Sequence, residues 1–190
     1  MSYASTLERI CAYCLIANAQ IHAVEDQPAA LYYQKVSGEE RSTRFDYRAV
    51  FGHNNYRMAI AVRPSRLLDK DGLRDTISRI NGGFLADFAD EAIIMTEREL
   101  TYALGWNAKS TLRALRGRNE ADCEWLIDRL KDVHGWTEIR HLIKGLPHRL
   151  GWNAVECLIF DGILIPFKRD VMLPNLPIVS VNRLKLAEVR

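Results

Sequence analysis

The stretch that decides the fold begins at Asp46-Tyr47 and continues, fourteen residues after Tyr47, into Ala61-Val62-Arg63-Pro64. Apolar residues alternate with polar ones over 43–51, and a second run over 56–62 is apolar enough for a strand. The polar segment 52–55 between these runs is typical of a hairpin loop. The sequence therefore predicts two adjacent antiparallel strands, the second of which is broken by the proline.

The open end of this predicted hairpin brings charged side chains together. Because side chains alternate between the two faces of a strand, we expect Ala61 and Arg63 to face Asp46 and Val62 to point into the core. Aspartate is depleted from strands unless it has a partner or a function. Asp46 is therefore the first candidate for a functional residue, and Arg63 can supply a permanent positive charge beside it.

The rest of the first half alternates between helical and extended patterns. Apolar spacing predicts a helix over 3–19, a short extended piece over 21–24, a strand over 30–36, a helix over 65–79 and a strand over 91–96. With the hairpin, this order is helix, three meandering strands, helix and strand. The expected fold class is α/β, with a mixed sheet flanked by helices.

From residue 97 the pattern becomes mainly helical, and we divide the chain into domains 1–96 and 97–190. Helices are expected over 100–105, 108–115, 120–133, 136–146 and 154–158. Asp161-Gly162 lies between two apolar runs and resembles the turn of a small hairpin. The string Leu-Gly-Trp-Asn-Ala occurs at 104–108 and again at 150–154, and each copy is expected to form a tight turn.

Positive charge is concentrated in the second half of the chain. Residues 1–96 carry 11 basic and 12 acidic residues, whereas residues 97–190 carry 15 basic and 12 acidic residues. The segment 107–118 contains four cations and no acid: Lys109, Arg113, Arg116 and Arg118. Such a cluster is either a solvated helix face or a surface that binds DNA phosphates.

Composition narrows the class of protein. The chain is 48% hydrophobic, as in an ordinary globular protein, and no apolar run approaches the roughly 18 residues of a membrane helix. The N-terminus lacks the pattern of a signal peptide, so we expect a cytoplasmic protein that does not contact membranes. Cys11 and Cys14 form a C-x-x-C, but no second C-x-x-C completes a zinc site, and we interpret both as buried apolar residues.

Several motifs, taken in order, resemble TnsA-type transposon endonucleases. Residues 56–65 resemble the strand of that family that ends in Q-V-K-P, and Leu7-Glu8 looks like its helix-borne catalytic glutamate. The remaining similarities are those of 24–28 to the E-Q-x-P segment, 44–47 to the T-D-F strand, 94–97 to the strand and turn that close the nuclease domain, and 158–164 to the winged-helix end.

The resemblance implies a restriction-endonuclease-like domain followed by a helical, winged-helix-like domain. It implies metal-dependent cleavage of double-stranded DNA at transposon ends, together with a transposase subunit and an ATPase regulator. The implied catalytic residues are Glu8, Asp46 and Arg63. The implied ligands of Mg²⁺, or of Mn²⁺ in its place, are Glu8, Asp46 and the backbone carbonyl of Val62.

Two positions depart from the family pattern. Ala61 stands where the family has glutamine, and its methyl group cannot bind a metal. Arg63 stands where the family has lysine, and arginine is bulkier and cannot act as a base. The sequence therefore leaves two functions open, namely DNA end cleavage or an impaired relic of it, and a non-catalytic DNA-binding or adaptor protein that recruits transposase or regulator subunits. Glu8 and Arg63 also have simpler interpretations, as a surface residue and as a structural ion-pair partner of Asp46.

Overall fold

The computed structural model describes residues 5–52 and 54–189. The chain divides into two compact units, Met1–Thr101 and Tyr102–Arg190, so the boundary falls five residues after the expected one. The first residues of the expected helix 3–19, and His53 of the expected hairpin loop, lie outside the described residues. None of the described helices combines the length and the apolar composition that a membrane crossing requires.

The first unit contains a four-stranded mixed sheet. Its elements are α1 (Thr6–Ile16), β1 (Ile21–Asp26), β2 (Leu31–Gln34), β3 (Glu40–Thr43), β4 (Tyr47–Phe51), β5 (Arg57–Val62), α2 (Ser65–Asp71), α3 (Leu73–Asn81) and β6 (Glu91–Met95). The strand order is β1-β4-β5-β6. The first two pairings are antiparallel and the β5–β6 pairing is parallel. The expected mixed sheet with helices is confirmed, as is the β4–β5 hairpin.

The strand assignments before β4 differ from the expectation. The short piece over 21–26 is the strand that pairs with β4, whereas β2 pairs with β3 in a separate two-stranded sheet. The expected strand over 43–51 is interrupted at Asp46. There the backbone N–H of Asp46 donates to the Ile60 carbonyl at 2.9 Å, and its carbonyl accepts from the Gln27 N–H at 2.9 Å. The chain therefore leaves one sheet and enters the other at this residue.

The sheet is buried on both faces, which explains why β5 is almost uniformly apolar. One cluster joins α1 to the sheet: Cys11, Ala12, Leu15, Tyr47, Ala49, Ile60, Val62 and Leu100. The other lies against α3: Leu31, Phe45, Ala59, Ala61, Ile77, Ile80, Leu85, Ala89 and Ala92. Neighbouring residues of β5 alternate between the two clusters.

The second unit combines helices with a three-stranded antiparallel sheet. Its elements are α4 (Tyr102–Arg116), α5 (Glu120–Arg129), β7 (Trp136–Glu138), α6 (Ile139–Leu142), α7 (His148–Phe160), β8 (Leu164–Pro166), β9 (Ile178–Val181) and α8 (Arg183–Glu188), with short 3₁₀ turns at Leu130–Asp132 and Leu173–Asn175. The strand order is β7-β9-β8. One core cluster connects α4, α5, α6, α7 and the sheet.

Several expectations for this unit were wrong. The two helices expected over 100–115 are one helix, α4, and residues 136–138 form a strand. Residues 158–160 belong to α7, so the turn at Asp161-Gly162 joins a helix to a strand. Gly162 makes this change of direction with a φ of +75°, a conformation that glycine adopts without strain.

Both copies of Leu-Gly-Trp-Asn-Ala lie inside helices, not at turns. The asparagine of each copy binds backbone groups outside its own helix. Asn107 donates to the carbonyls of Arg169 at 3.2 Å and Val171 at 2.9 Å, and Asn153 donates to those of Ala114 at 3.2 Å and Gly117 at 2.9 Å. The repeated asparagine therefore ties its helix to a neighbouring segment through backbone carbonyls.

The glycine of the second copy is required by close packing. A Cβ atom added at Gly151 would lie 2.5 Å from the Ile143 Cβ, whereas one added at Gly117 would meet no atom closer than 3.8 Å. We expect Gly151→Ala to lower the free energy of unfolding by about 1–3 kcal/mol, the usual cost of overpacking. We expect Gly117→Ala to change it by less than about 0.5 kcal/mol. Urea unfolding followed by tryptophan fluorescence measures both, and an unchanged Gly151→Ala would contradict the packing argument.

Candidate functional site

Asp46 lies at the start of β4 and its carboxylate reaches the end of β5. Its Oδ2 accepts a hydrogen bond of 2.6 Å from the Val62 N–H. Burial raises the pKa of Asp46 above its usual value, and the charge of Glu8 raises it further. The Val62 N–H and the charge of Arg63 act in the opposite direction. The charges of Glu8 and Arg63, the two residues that the sequence groups with Asp46, therefore both act on its carboxylate.

Glu8 is half-buried in the first turn of α1. Its backbone N–H donates to Ser5 Oγ at 3.2 Å, and Ser5 Oγ donates to Glu8 Oε1 at 3.0 Å. The Tyr47 hydroxyl donates to the Glu8 carbonyl at 3.1 Å, which fixes this turn against β4. Burial, with smaller contributions from Cys14, Asp46 and Glu8, raises the pKa of Cys11 to about 12, so Cys11 is a neutral thiol beneath the carboxylates.

Arg63 leaves β5 toward solvent, and its Nε lies 3.7 Å from Asp71 Oδ2. Both side chains are nearly half exposed, so this ion pair adds little to stability. Asp71, at the end of α2, was not expected from the sequence. An acidic residue before a helix-ending glycine is not distinctive in a sequence. Asp71 comes close to Arg63 only in the folded chain.

Ala61 and Val62 are both buried, at 6% and 5% exposure. The methyl group of Ala61 packs in the cluster that contains Ile77 and Ile80, so it fills the core at the position where a polar ligand was possible. The N–H and C=O of a strand residue project from the same edge of the strand. Because the Val62 N–H binds Asp46, the Val62 carbonyl also points to the edge that carries this carboxylate.

The segment after Arg63 is held by Glu97. The Ser65 N–H donates to Glu97 Oε2 at 2.9 Å, and the Ser65 hydroxyl donates to Glu97 Oε1. These hydrogen bonds lower the pKa of Glu97 to about 2. The contact joins the start of α2 to the end of β6 and fixes the path of the chain beside the site.

Two carboxylates and one backbone carbonyl are the groups near the end of β5 that would hold a divalent cation. Among residues 5–52 and 54–189, no three His, Cys, Asp or Glu side chains are grouped for metal binding. Mg²⁺ is often bound by only one or two carboxylates and several waters. Glu8, Asp46 and the Val62 carbonyl would form such a minimal set, and a cation there would offset both the burial and the charge of Glu8, which raise the pKa of Asp46.

Of the four cations expected to bind DNA, three share one face of α4. Lys109, Arg113 and Arg116 are exposed and lie at helical positions i, i+4 and i+7. Within the part of the chain that the structure describes, none of the three forms an ion pair.

Arg118 is placed differently from the other three. It lies beyond the end of α4, with Nε 2.7 Å from Glu120 and Nη1 2.9 Å from Asp161. These carboxylates raise the pKa of its guanidinium further above the usual range. Arg118 thereby connects the start of α5 to the end of α7, and its charge is already compensated within the unit.

Comparisons with known proteins do not decide the family of this chain. No protein-family model matches it, and no curated protein matches it.

The raised pKa of Asp46 predicts a stability penalty at neutral pH. Since the folded protein holds this proton more tightly than the unfolded chain, stability falls as the pH rises from the unfolded value through the folded one. Asp46→Asn keeps an acceptor for the Val62 N–H and removes the charge. We expect the difference in unfolding free energy between the variant and wild type to shift in favour of the variant as the pH rises from 4 to 7. Urea unfolding at the two pH values measures this difference. A relative loss over this interval would contradict the burial of a charged Asp46.

Proposed function

We propose that this chain is a TnsA-like DNA-processing protein of a transposition system. Its first unit has a restriction-endonuclease-like arrangement with an incomplete catalytic set, and its second unit is a winged-helix-like module that binds DNA. The observation that carries the proposal is the 2.6 Å hydrogen bond that holds the Asp46 carboxylate on the Val62 N–H, at the end of β5 and next to Arg63 in the chain. The Tyr47 hydroxyl, beside Asp46, binds the Glu8 carbonyl at 3.1 Å and brings the first turn of α1 to the same strand. Asp46 and Arg63 flank the β4–β5 hairpin, whereas Glu8 comes from α1, and the three were expected together from the family resemblance.

The topology of the first unit supports the proposal. A helix, three antiparallel strands, a helix and a strand parallel to the third form the core of restriction-endonuclease-like domains. Here α1, β1, β4, β5, α3 and β6 follow one another in that order, with β2–β3 as an inserted hairpin. Asp46 lies at the end of the β4–β5 pairing, where its backbone N–H binds the Ile60 carbonyl and its carboxylate binds the Val62 N–H.

The topology of the second unit supports the DNA-binding part. In a winged-helix module the order is helix, strand, helix, helix, strand, strand, and the last strand lies at the centre of the sheet. The elements α5, β7, α6, α7, β8 and β9 follow that order, and the sheet order is β7-β9-β8. The segment 167–177 between β8 and β9 then corresponds to the wing.

The residues of the site have separate roles in this proposal. Glu8, Asp46 and the Val62 carbonyl would hold Mg²⁺, which supplies Lewis-acid activation of a phosphodiester and an oriented water when it is bound. Arg63 binds a phosphate oxygen and stabilises negative charge on it, but transfers no proton. Asp71 limits the movement of Arg63. Because Ala61 provides no ligand, we propose cleavage that is weak or depends on a partner such as a transposase subunit.

The alternative is a non-catalytic adaptor that binds DNA and recruits the transposase or its ATPase regulator. The free cations on α4 favour this function independently of the carboxylate site. In that case Arg63 serves as a structural counter-charge to Asp46 and Asp71.

Calorimetric titration with Mn²⁺ distinguishes the two functions. We expect saturable binding to wild type and its loss in Asp46→Asn, because the amide is a far weaker ligand than a carboxylate. The matched control is Asp69→Asn, which removes an acid of the same unit whose side chain is 91% exposed and pairs only weakly with Arg74. Binding in the control should equal that of wild type.

Two results would count against a metal-dependent function. If wild type does not bind Mn²⁺, the carboxylates do not form a working metal site. The non-catalytic adaptor is then the supported function. If Asp46→Asn binds as tightly as wild type, the cation lies elsewhere in the protein and Asp46 is structural.

A further inference from the structure

The exposed face of α4 carries three cations and no acid. The helix Tyr102–Arg116 contains no acidic residue. Its three exposed cations, Lys109, Arg113 and Arg116, span about 10 Å along the helix axis at 1.5 Å per residue. The helix therefore presents a short line of positive charge whose side chains are not used for internal ion pairs among the described residues. A line of this kind complements the phosphates along one edge of a duplex groove.

The side of α4 next to this exposed face covers part of α7, since Ser110 is a helical neighbour of Arg113. Ser110 donates to Glu156 Oε1 at 2.6 Å. Asn153 donates to the carbonyls of Ala114 and Gly117 at the end of α4. Asn153 and Glu156 are three residues apart, so they lie on one face of α7, and α4 occupies that face.

The charge of this face of α7 also disfavours contact with DNA. Burial raises the pKa of Glu156, and the hydrogen bond from Ser110 and the charge of Arg113 act against this effect. A carboxyl group at the centre of the face would repel phosphates when ionised. Because α4 covers Glu156, the helix that corresponds to the recognition helix of a winged-helix module serves here as a support for α4.

We propose that duplex DNA docks on the exposed face of α4, through Lys109, Arg113 and Arg116, and that α7 does not enter the major groove. This inference rests on the DNA binding in the proposed function and changes the surface that performs it. It also excludes Arg118, whose guanidinium is bound by Glu120 and Asp161.

The competing surface is the one that the topology alone would suggest. It consists of the first turn of α7 and the segment after β8, where Arg149, Lys168 and Arg169 are exposed. This segment is held to α4 by Asn107, which binds backbone groups of Arg169, Val171 and Leu173. Three cations on each surface make a direct comparison possible.

The test compares three triple substitutions to glutamine, each of which removes three positive charges from the full-length protein. The first changes Lys109, Arg113 and Arg116, and the second changes Arg149, Lys168 and Arg169. The control changes Lys131, Arg140 and Lys185, three exposed cations of the same unit that are already paired with Asp128, Glu138 and Glu188. Affinity for a fluorescent 25-base-pair duplex is measured by anisotropy over a series of salt concentrations.

We expect the α4 triple to reduce the slope of log affinity against log salt by roughly 3, because each lost phosphate contact contributes about 0.9. The other two triples should keep slopes within about one unit of wild type. If the Arg149 triple loses as much slope as the α4 triple, or more, the inference is overturned while DNA binding stands. Equal losses in the control triple overturn it as well, since net charge alone would then explain binding. If wild type does not bind the duplex even at low salt, both this inference and the DNA-binding function fail.

Discussion

The hydrogen bond between the Asp46 carboxylate and the Val62 N–H is the contact on which the first unit depends. It lies where the chain passes from the β2–β3 hairpin into the four-stranded sheet, and it replaces the ladder bond that β4 does not provide at this point. A backbone donor left unpaired in a buried strand would cost about 1–3 kcal/mol. The same carboxylate that completes the sheet is therefore held beside Glu8 and Arg63, so the fold and the candidate site share one residue.

The local part of this fold could be predicted and the non-local part could not. Alternation and a polar loop are enough to identify the β4–β5 hairpin, because both strands are close in sequence. The partner on the other side of β4 is β1, whose residues are all exposed or only half-buried. Its pairing depends on tertiary contacts such as that between Gln27 and Asp46, which leave no periodic pattern in the sequence.

In the second unit, the wrong predictions came from residues that make tertiary contacts. Glycine and asparagine are usually read as breakers, and this predicted turns at both copies of Leu-Gly-Trp-Asn-Ala. At position 151 only a glycine is small enough to pack on Ile143, and Asn153 binds carbonyls at the end of α4. For the candidate site, the charges of Glu8, Asp46 and Arg63 could be placed from motif order, whereas the burial of Ala61 and the pairing of Arg63 with Asp71 required the three-dimensional structure.

The stability cost of an ionised carboxylate at position 46 bears on whether Asp46 has a function beyond the fold. A structural acceptor for the Val62 N–H could be an asparagine, which has no charge to bury and no repulsion from Glu8. A carboxylate at position 46 is therefore less favourable for the stability of the fold than an asparagine would be. Its pKa is raised, which means that the folded protein disfavours its ionised form. Groups that are destabilising for the fold are concentrated at functional sites, since binding or catalysis supplies the compensation. A cation held by Glu8 and Asp46, or a phosphate held by Arg63, would provide that compensation, whereas the buried methyl of Ala61 contributes only to the core.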